Sequence, residues 1–300
     1  MIKRIITAVS FLYIFLCVPL LTGTDSYSVL GDENWSRERL APGVELLRRH
    51  FEDLFNSPQF ISILTIDLKE SHVKVRFATA DQFGEERLAI PDLAVRSGAL
   101  AAINGGFGHG GPGILNSGII KIDVVVLPFL NDEPDELYFV GGSAIGIDEK
   151  GSWHFRVREG TQWLDEWVEV DHALAGGHML ILNGEIFPVV EKEEYTTDRE
   201  INHAGRRHPR TAIGMTADSI GLLMTIDGRH SSKAEGLTLR ELAHFLINLD
   251  CVQAINLDGG GSTTMWTSQH GVVNHPSGNQ RFDAEGLRLL KNGVVIYTQE

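Results

Sequence analysis

The sequence predicts a mixed α/β fold of the α+β kind, a twisted mixed β-sheet with flanking helices in a single domain. Three observations predict it. Short β-rich runs separated by turn signals recur along the chain. Helical periodicity is confined to two short segments, near 91–96 and 239–248. No linker, repeat or low-complexity tract divides the body, residues 25–300. With 300 residues, 43% of them hydrophobic, the chain can bury a core without disulfide or metal staples.

The first element precedes the fold. Lys3 and Arg4 lead an apolar run over 5–21 that contains Pro19 and ends in Thr22-Gly23-Thr24. That run is too short and too small-flanked for a membrane anchor, so residues 1–24 read as a cleaved export signal. Leu16 before Cys17 is too large for a lipoprotein signal. The expected location is secreted or periplasmic, with no membrane partner after cleavage. Cleavage would also take the net charge from −14 to −16, by loss of Lys3 and Arg4. It would leave Cys251 alone, as a buried thiol without an intrachain disulfide.

Residues 27–56 are polar and charged, and both a helix and an irregular lead-in stay open. Residues 60–66 form an apolar β-run. Residues 72–77 alternate, with Val73, Val75 and Phe77 against His72, Lys74 and Arg76, so the two segments read as a hairpin turning over 67–71. Pro91 opens a short helix. A buried strand over 99–103 runs into Asn104-Gly105-Gly106-Phe107, and 108–118 is a glycine-rich loop. Strands follow over 119–127, 137–147 and 153–157, with an acidic turn over 131–136. Asn183-Gly184 between 179–182 and 185–187 is a strong two-residue hairpin signal. The charged stretch 191–207 reads as a long mobile loop. Strands over 210–216 and 220–226 meet at Ala217-Asp218-Ser219. Thr238-Leu239-Arg240-Glu241 is a capping box that starts a helix with Leu239, Leu242, Ala243, Leu246 and Ile247 on one face. The strand over 254–257 ends in Asp258-Gly259-Gly260-Gly261-Ser262.

Three of these strands end in an Asx-Gly step, at Asn104-Gly105, Asp227-Gly228 and Asp258-Gly259. Such steps are ordinary turn chemistry, but their topology is suggestive. Strand 220–226, the helix and strand 254–257 form a βαβ-like unit that brings Asp227 and Asp258 to one sheet edge. Counting outward from Asp218 places Arg210 opposite Ile226, at the same edge, with Arg229 and His208 nearby. Guanidinium forks fit phosphate oxygens. Consecutive glycines let backbone N–H groups approach an anion. Paired carboxylates suit acid, base or nucleophile work on a glycosidic bond. An ordinary salt bridge between the arginines and the aspartates is the competing reading. The net charge of −14 argues against nucleic acid and anionic membranes as partners but leaves room for one focused phosphate site.

Other signatures fail. Gly259 to Thr263 lacks the P-loop Lys, and Gly106-Phe107-Gly108-His109-Gly110-Gly111 runs into Pro112 without a helix. There is no G-x-S-x-G elbow and no zinc pattern among the His residues. His178, His203 and His208 remain candidates.

INGGF (103–107), NSG (116–118), HPRTAIG (208–214), IDGR (226–229), GLTLRELAHFL (236–246) and NLDGGGSTTM (256–265) together resemble the phosphodiester glycosidases, over roughly 44–296. The resemblance implies hydrolysis of a sugar-1-phosphodiester of the GlcNAc-1-phosphate type, releasing the sugar and leaving a phosphomonoester. Such a substrate would occur in a glycan, a teichoic-acid-like polymer or an exopolysaccharide. It implies Asp227 and Asp258 as the catalytic pair. It implies a substrate-binding set of Asn104, Gly105, Gly106, Arg210, Thr211, Arg229, Gly259, Gly260, Gly261, Ser262 and Thr263. Arg210 and Arg229 would hold the phosphate, and Asn104 would orient the sugar. Clustered Asp and glycine carbonyls leave a divalent cation, Ca²⁺ or Mg²⁺, as an open possibility. The alternative is a non-catalytic binder of anionic glycans or sugar phosphates on the same fold.

Overall fold

The computed structural model describes residues 29–108, 112–130, 142–158, 165–192 and 195–299. The export-signal reading and the acidic turn over 131–136 lie outside these residues.

In chain order the strands begin with β1 (Ser36–Ala41), β2 (Val44–Phe51), β3 (Gln59–Asp67) and β4 (Val73–Thr79), followed by helix α1 (Ile90–Ser97). Then come β5 (Ala101–Asn104), β6 (Asn116–Ser117), β7 (Ile120–Ile122), β8 (Val125–Val126), β9 (Phe129–Leu130), β10 (Ser143–Ile147) and β11 (Trp153–Val157). β12 (His172–Gly176), β13 (Met179–Leu182), β14 (Glu185–Ile186), β15 (Arg210–Thr216) and β16 (Ile220–Ile226) precede helix α2 (Leu239–Ile247). The chain closes with β17 (Cys251–Asn256), β18 (Met265–Thr267), β19 (Gly271–Val272) and β20 (Asn292–Thr298).

These strands build three principal sheets. The largest runs β1-β2-β3-β16-β15-β17-β13-β14, the second β11-β10-β12-β7-β8 and the third β19-β18-β5-β20-β4. The fold is therefore mostly β, and α1 and α2 are its two helices of eight or more residues among the described residues. The single twisted sheet with flanking helices is corrected to several sheets, each with a small cover.

The strands read as apolar runs because most are buried on both faces. Successive side chains point to opposite faces. Leu46, Leu64, Ile213, Leu223 and Ile255 of the large sheet meet Ile145 and Leu174 of the second and Ile103 and Val294 of the third in one central core. Their neighbours Leu47, Ile63, Ala212, Leu222 and Ala254 face the other way, onto Leu239, Leu242, Ala243 and Leu246 of α2. Ala102 and Val295 face Ile90, Leu93 and Ala94 of α1. Ala144, Ala173 and Ala175 pack under Trp167.

Three sequence readings are altered or resolved. The 60–77 segment is not a hairpin. β3 pairs with β2 and β16, while β4 pairs with β20 in the third sheet. Alternation identifies a strand but not its partner, and the turn after Asp67 carries the chain from one sheet to another. Within 27–56, residues 36–51 form the β1–β2 hairpin, an edge whose polar face is solvated. Within 191–207 the structure places a helical turn, Asp198–Glu200, running into a π-helical turn, Ile201–Gly205.

Candidate active site

The large sheet builds one edge of the site. β15 lies antiparallel to both β16 and β17, so its first residue sits beside their last ones. Arg210 pairs with Ile226, the register counted from the turn, and Ala212 pairs with Asn256. β16 and β17 are parallel to each other but separated by β15. Asp227 and Asp258 thus follow strand ends at the same edge.

The third sheet reaches the same place through β5. Asn104 is fully buried. Its amide donates to the Asp258 carbonyl at 2.6 Å. Its Oδ1 accepts from the Thr211 hydroxyl at 2.7 Å and the Thr264 N–H at 3.0 Å. The Asp258 N–H in turn donates to the Gly105 carbonyl at 3.1 Å. Asn104 therefore clamps two sheets together, and its polar atoms face these partners. Gly105 and Gly106 allow the approach, because a Cβ on Gly106 would run into the Ala175 carbonyl and the Asn116 side chain.

Of the three glycine amides, that of Gly260 is taken within the chain. Residues Gly260–Ser262 form a 3-10 turn. The Gly260 N–H donates to the Pro209 carbonyl at 2.8 Å, that of Ser262 to Gly259 at 3.2 Å and that of Thr263 to Gly260 at 3.3 Å. The glycines also supply room. A Cβ on Gly260 would stand 2.8 Å from Arg229 Nη2, and one on Gly261 would overlap the Arg288 guanidinium. Two guanidiniums thus lie on consecutive glycines. Partial burial and the neighbouring Arg288 charge hold the Arg229 guanidinium below its usual range. Neither Arg229 nor Arg288 is in an ion pair among the described residues. Two like charges brought together with no ion pair among the described residues make a ready anion site.

Arg288 escaped the sequence reading. It lies in an irregular segment with no periodicity, and only tertiary folding brings it to Gly261.

Arg210 stands apart from this pair. It is 2% exposed, and its fork is spent on backbone carbonyls. Nε donates to Leu237 at 2.7 Å, and Nη2 donates to His203 at 2.6 Å and Arg206 at 2.9 Å. No ion pair joins Arg210 or Arg229 to Asp227 or Asp258 among the described residues.

The two carboxylates differ sharply. Asp227 is 1% exposed. It accepts from the His275 ring Nδ1 at 2.6 Å, the His275 N–H at 3.0 Å and the Asn274 amide at 3.0 Å. The ring stacks on Phe282 at 3.8 Å between centroids and meets the edge of Phe60 at 4.8 Å. With Nδ1 held by Asp227, Nε2 is left for a partner from outside the chain. His275 and Asn274 were also missed in the sequence, because no short-range pattern connects them with Asp227.

Asp258 is half-buried and lines a cleft of about 320 Å³ with Arg87, Gly106, Ser262, Arg288 and Lys291. Thr263 and Thr211 are buried behind it, their hydroxyls 3.5 Å apart. His178, His203 and His208 do not line this cleft. Burial and the charge of Arg210 hold His178 at about 4. The His208 ring contacts the Asn202 carbonyl at 2.6 Å. Among the described residues no group of three or more His, Cys, Asp and Glu side chains is placed for a metal ion. The N–H donors packed around Asp227 would have to give way before it could hold one.

A family model described as phosphodiester glycosidase matches residues 97–297. The N-acetylglucosamine-1-phosphodiester alpha-N-acetylglucosaminidase of Mus musculus is 30% identical over 187 residues, 60% of this chain and 34% of that protein. The SPbeta prophage-derived protein YomE of Bacillus subtilis is 33% identical over 83 residues, 28% of this chain and 13% of that one. This chain thus spans about a third or less of the length of these relatives. Among solved structures, the catalytic domain of the zebrafish N-acetylglucosamine-1-phosphodiester alpha-N-acetylglucosaminidase, auto-inhibited by its pro-peptide, superposes with a TM-score of 0.64 at 21% identity. That match covers 86% of this chain and 85% of the domain, a likeness of fold.

Proposed function

The chain belongs to the phosphodiester glycosidase family, and from that premise we propose that it hydrolyses a sugar-1-phosphodiester in a glycan or exopolysaccharide outside the cytoplasm. The observation that carries the reading is the pair of guanidiniums, Arg229 and Arg288, laid on Gly260 and Gly261 with no ion pair among the described residues, Arg288 lining the same cleft as Asp258.

In this reading Arg229 and Arg288 hold the phosphate, and the sugar occupies the cleft beside Asp258 and Ser262. Water adds to the anomeric carbon, the bond from that carbon to the phosphate-bridging oxygen breaks, and the electron pair leaves with the phosphomonoester. The two guanidiniums stabilise that leaving charge, so little proton donation to it is needed. Asp258 stabilises the positive charge on the sugar or takes the water proton. Asp227 acts through His275, fixing its tautomer with Nε2 outward as a second proton acceptor. Arg210, Thr211 and Asn104 position the strand ends, and Thr263 supports them. No step is assigned to a metal ion.

The test is turnover of an α-GlcNAc-1-phosphodiester of a simple alcohol. Wild type is expected to release free sugar and phosphomonoester in equal amounts. Asp258→Asn should lower kcat by about a thousandfold, with the melting temperature kept. Asp227→Asn should change the pH profile in the same way as His275→Gln. Wild-type protein that binds such diesters and cleaves none of them would make the chain a binding protein. Full activity in Asp258→Asn would remove that residue from the chemistry.

A further inference from the structure

A second cleft, of about 450 Å³, opens where the edge strand β4 of the third sheet meets β7 and β12 of the second. Val75 and Phe77 point into the central core, so Lys74 and Arg76, which alternate with them, point outward together. Tyr297 stands directly across the ladder from Lys74. Arg96, from the last turn of α1, and Phe83 complete the wall.

This cleft is remote from the candidate active site. On β20, Gly293 pairs with Asn104 at the active-site edge. Tyr297 lies four residues further along the same strand, about 13 Å away at the usual rise per residue.

Its chemistry runs against the rest of the surface. The chain carries a net charge of −14, yet among the described residues three cations line this cleft and one acid, Asp123. Arg96 is partly neutralised by Glu85 at 3.4 Å. Lys74 and Arg76 are in no ion pair among the described residues. Both are half-buried rather than fully extended into solvent. Gln82 and Gln299 also line it, the Gln82 Oε1 already accepting from the Thr79 N–H at 2.9 Å. Cations fit an anionic group, aromatic rings fit the apolar face of a pyranose, and amides fit its hydroxyls. Three cations on so acidic a protein are too few for a nucleic-acid backbone.

We propose that this cleft is a second binding site, for an acidic oligosaccharide whose charge is a carboxylate or phosphate on the sugar. It would hold a polymeric glycan independently of the candidate active site.

Isothermal titration of the whole protein with two probes, tetragalacturonate and maltotetraose 6-phosphate, tests this, with neutral maltotetraose beside them. Saturable binding of at least one acidic probe and none of the neutral one is expected. The double variant Lys74→Ala/Arg76→Ala should weaken it by about tenfold or more. Tyr297→Leu, which leaves the cations in place, should weaken it by about fivefold. Arg229→Ala/Arg288→Ala should leave it within about twofold, which separates this site from the proposed catalytic one. The proposal is overturned if neither acidic probe binds. It is equally overturned if binding depends on Arg229 and Arg288 but not on Lys74 and Arg76, or if an oligodeoxynucleotide of equal charge binds as tightly as the saccharide.

Discussion

Arg210 and Arg229 look equivalent in sequence, each at the start or end of a strand beside an aspartate. Their surroundings divide them. A guanidinium that donates to the carbonyls of Leu237, His203 and Arg206 and is 2% exposed organises the chain around it. Removing it takes a donor from three carbonyls, of which Leu237 keeps the His208 N–H, and leaves a cavity where a large side chain stood. Arg210→Ala is therefore expected to destabilise the fold by about 3–5 kcal/mol, read from denaturant unfolding. A stable Arg210→Ala protein with a raised KM alone would return that residue to the phosphate. The residues that sequence missed, Arg288, His275 and Asn274, share a reason. They lie outside the regular elements in the last third of the chain, where side chains gain meaning only from what tertiary folding sets beside them.

At the scale of elements, local rules carried far. The turn at 217–219 fixed the β15–β16 register to the residue, and Asn183-Gly184 turned β13 into β14. The capping box of α2 is formed at both ends. The Thr238 hydroxyl accepts from the Glu241 N–H at 3.1 Å, and the Glu241 carboxylate accepts from the Thr238 N–H at 2.9 Å. Glu241 also holds Arg207 at 2.7 Å, so the cap is tied to the segment that precedes β15. Thr238→Ala should cost about 1 kcal/mol, measured as a shift in denaturant midpoint at constant slope. No loss would mean that Arg207 alone sets the helix start. Pairing between sheets was not legible. Alternation shows which face of a strand is buried but not which strand lies beside it, so the 60–77 segment offered a plausible hairpin that the third sheet outcompeted.

For the whole molecule, acid sensitivity follows from buried imidazoles. Burial, with Arg76 adding to it, holds His172 at about 4, against an ordinary value of 6.5. His178 is held at about 4 in the same way, chiefly by burial. Between pH 6.5 and 4 only the unfolded chain takes up these protons, so stability is complete above 6.5 and falls as pH drops toward 4. Thermal melting across that range should show the decline, and His172→Gln should flatten it. An unchanged slope would mean that other groups dominate acid unfolding.

On the proposed function, the net charge of −14 and the two arginines would favour one focused phosphate site over general polyanion binding. The measurement that bears most directly on this is the ratio of kcat/KM for a sugar-1-phosphodiester to that for the matched neutral glycoside, in wild type and in Arg229→Ala/Arg288→Ala. Two charge-assisted phosphate contacts should favour the diester by about a hundredfold or more in wild type, and the double variant should lose most of that preference. Equal ratios in the two proteins would contradict the phosphate site and the function built on it.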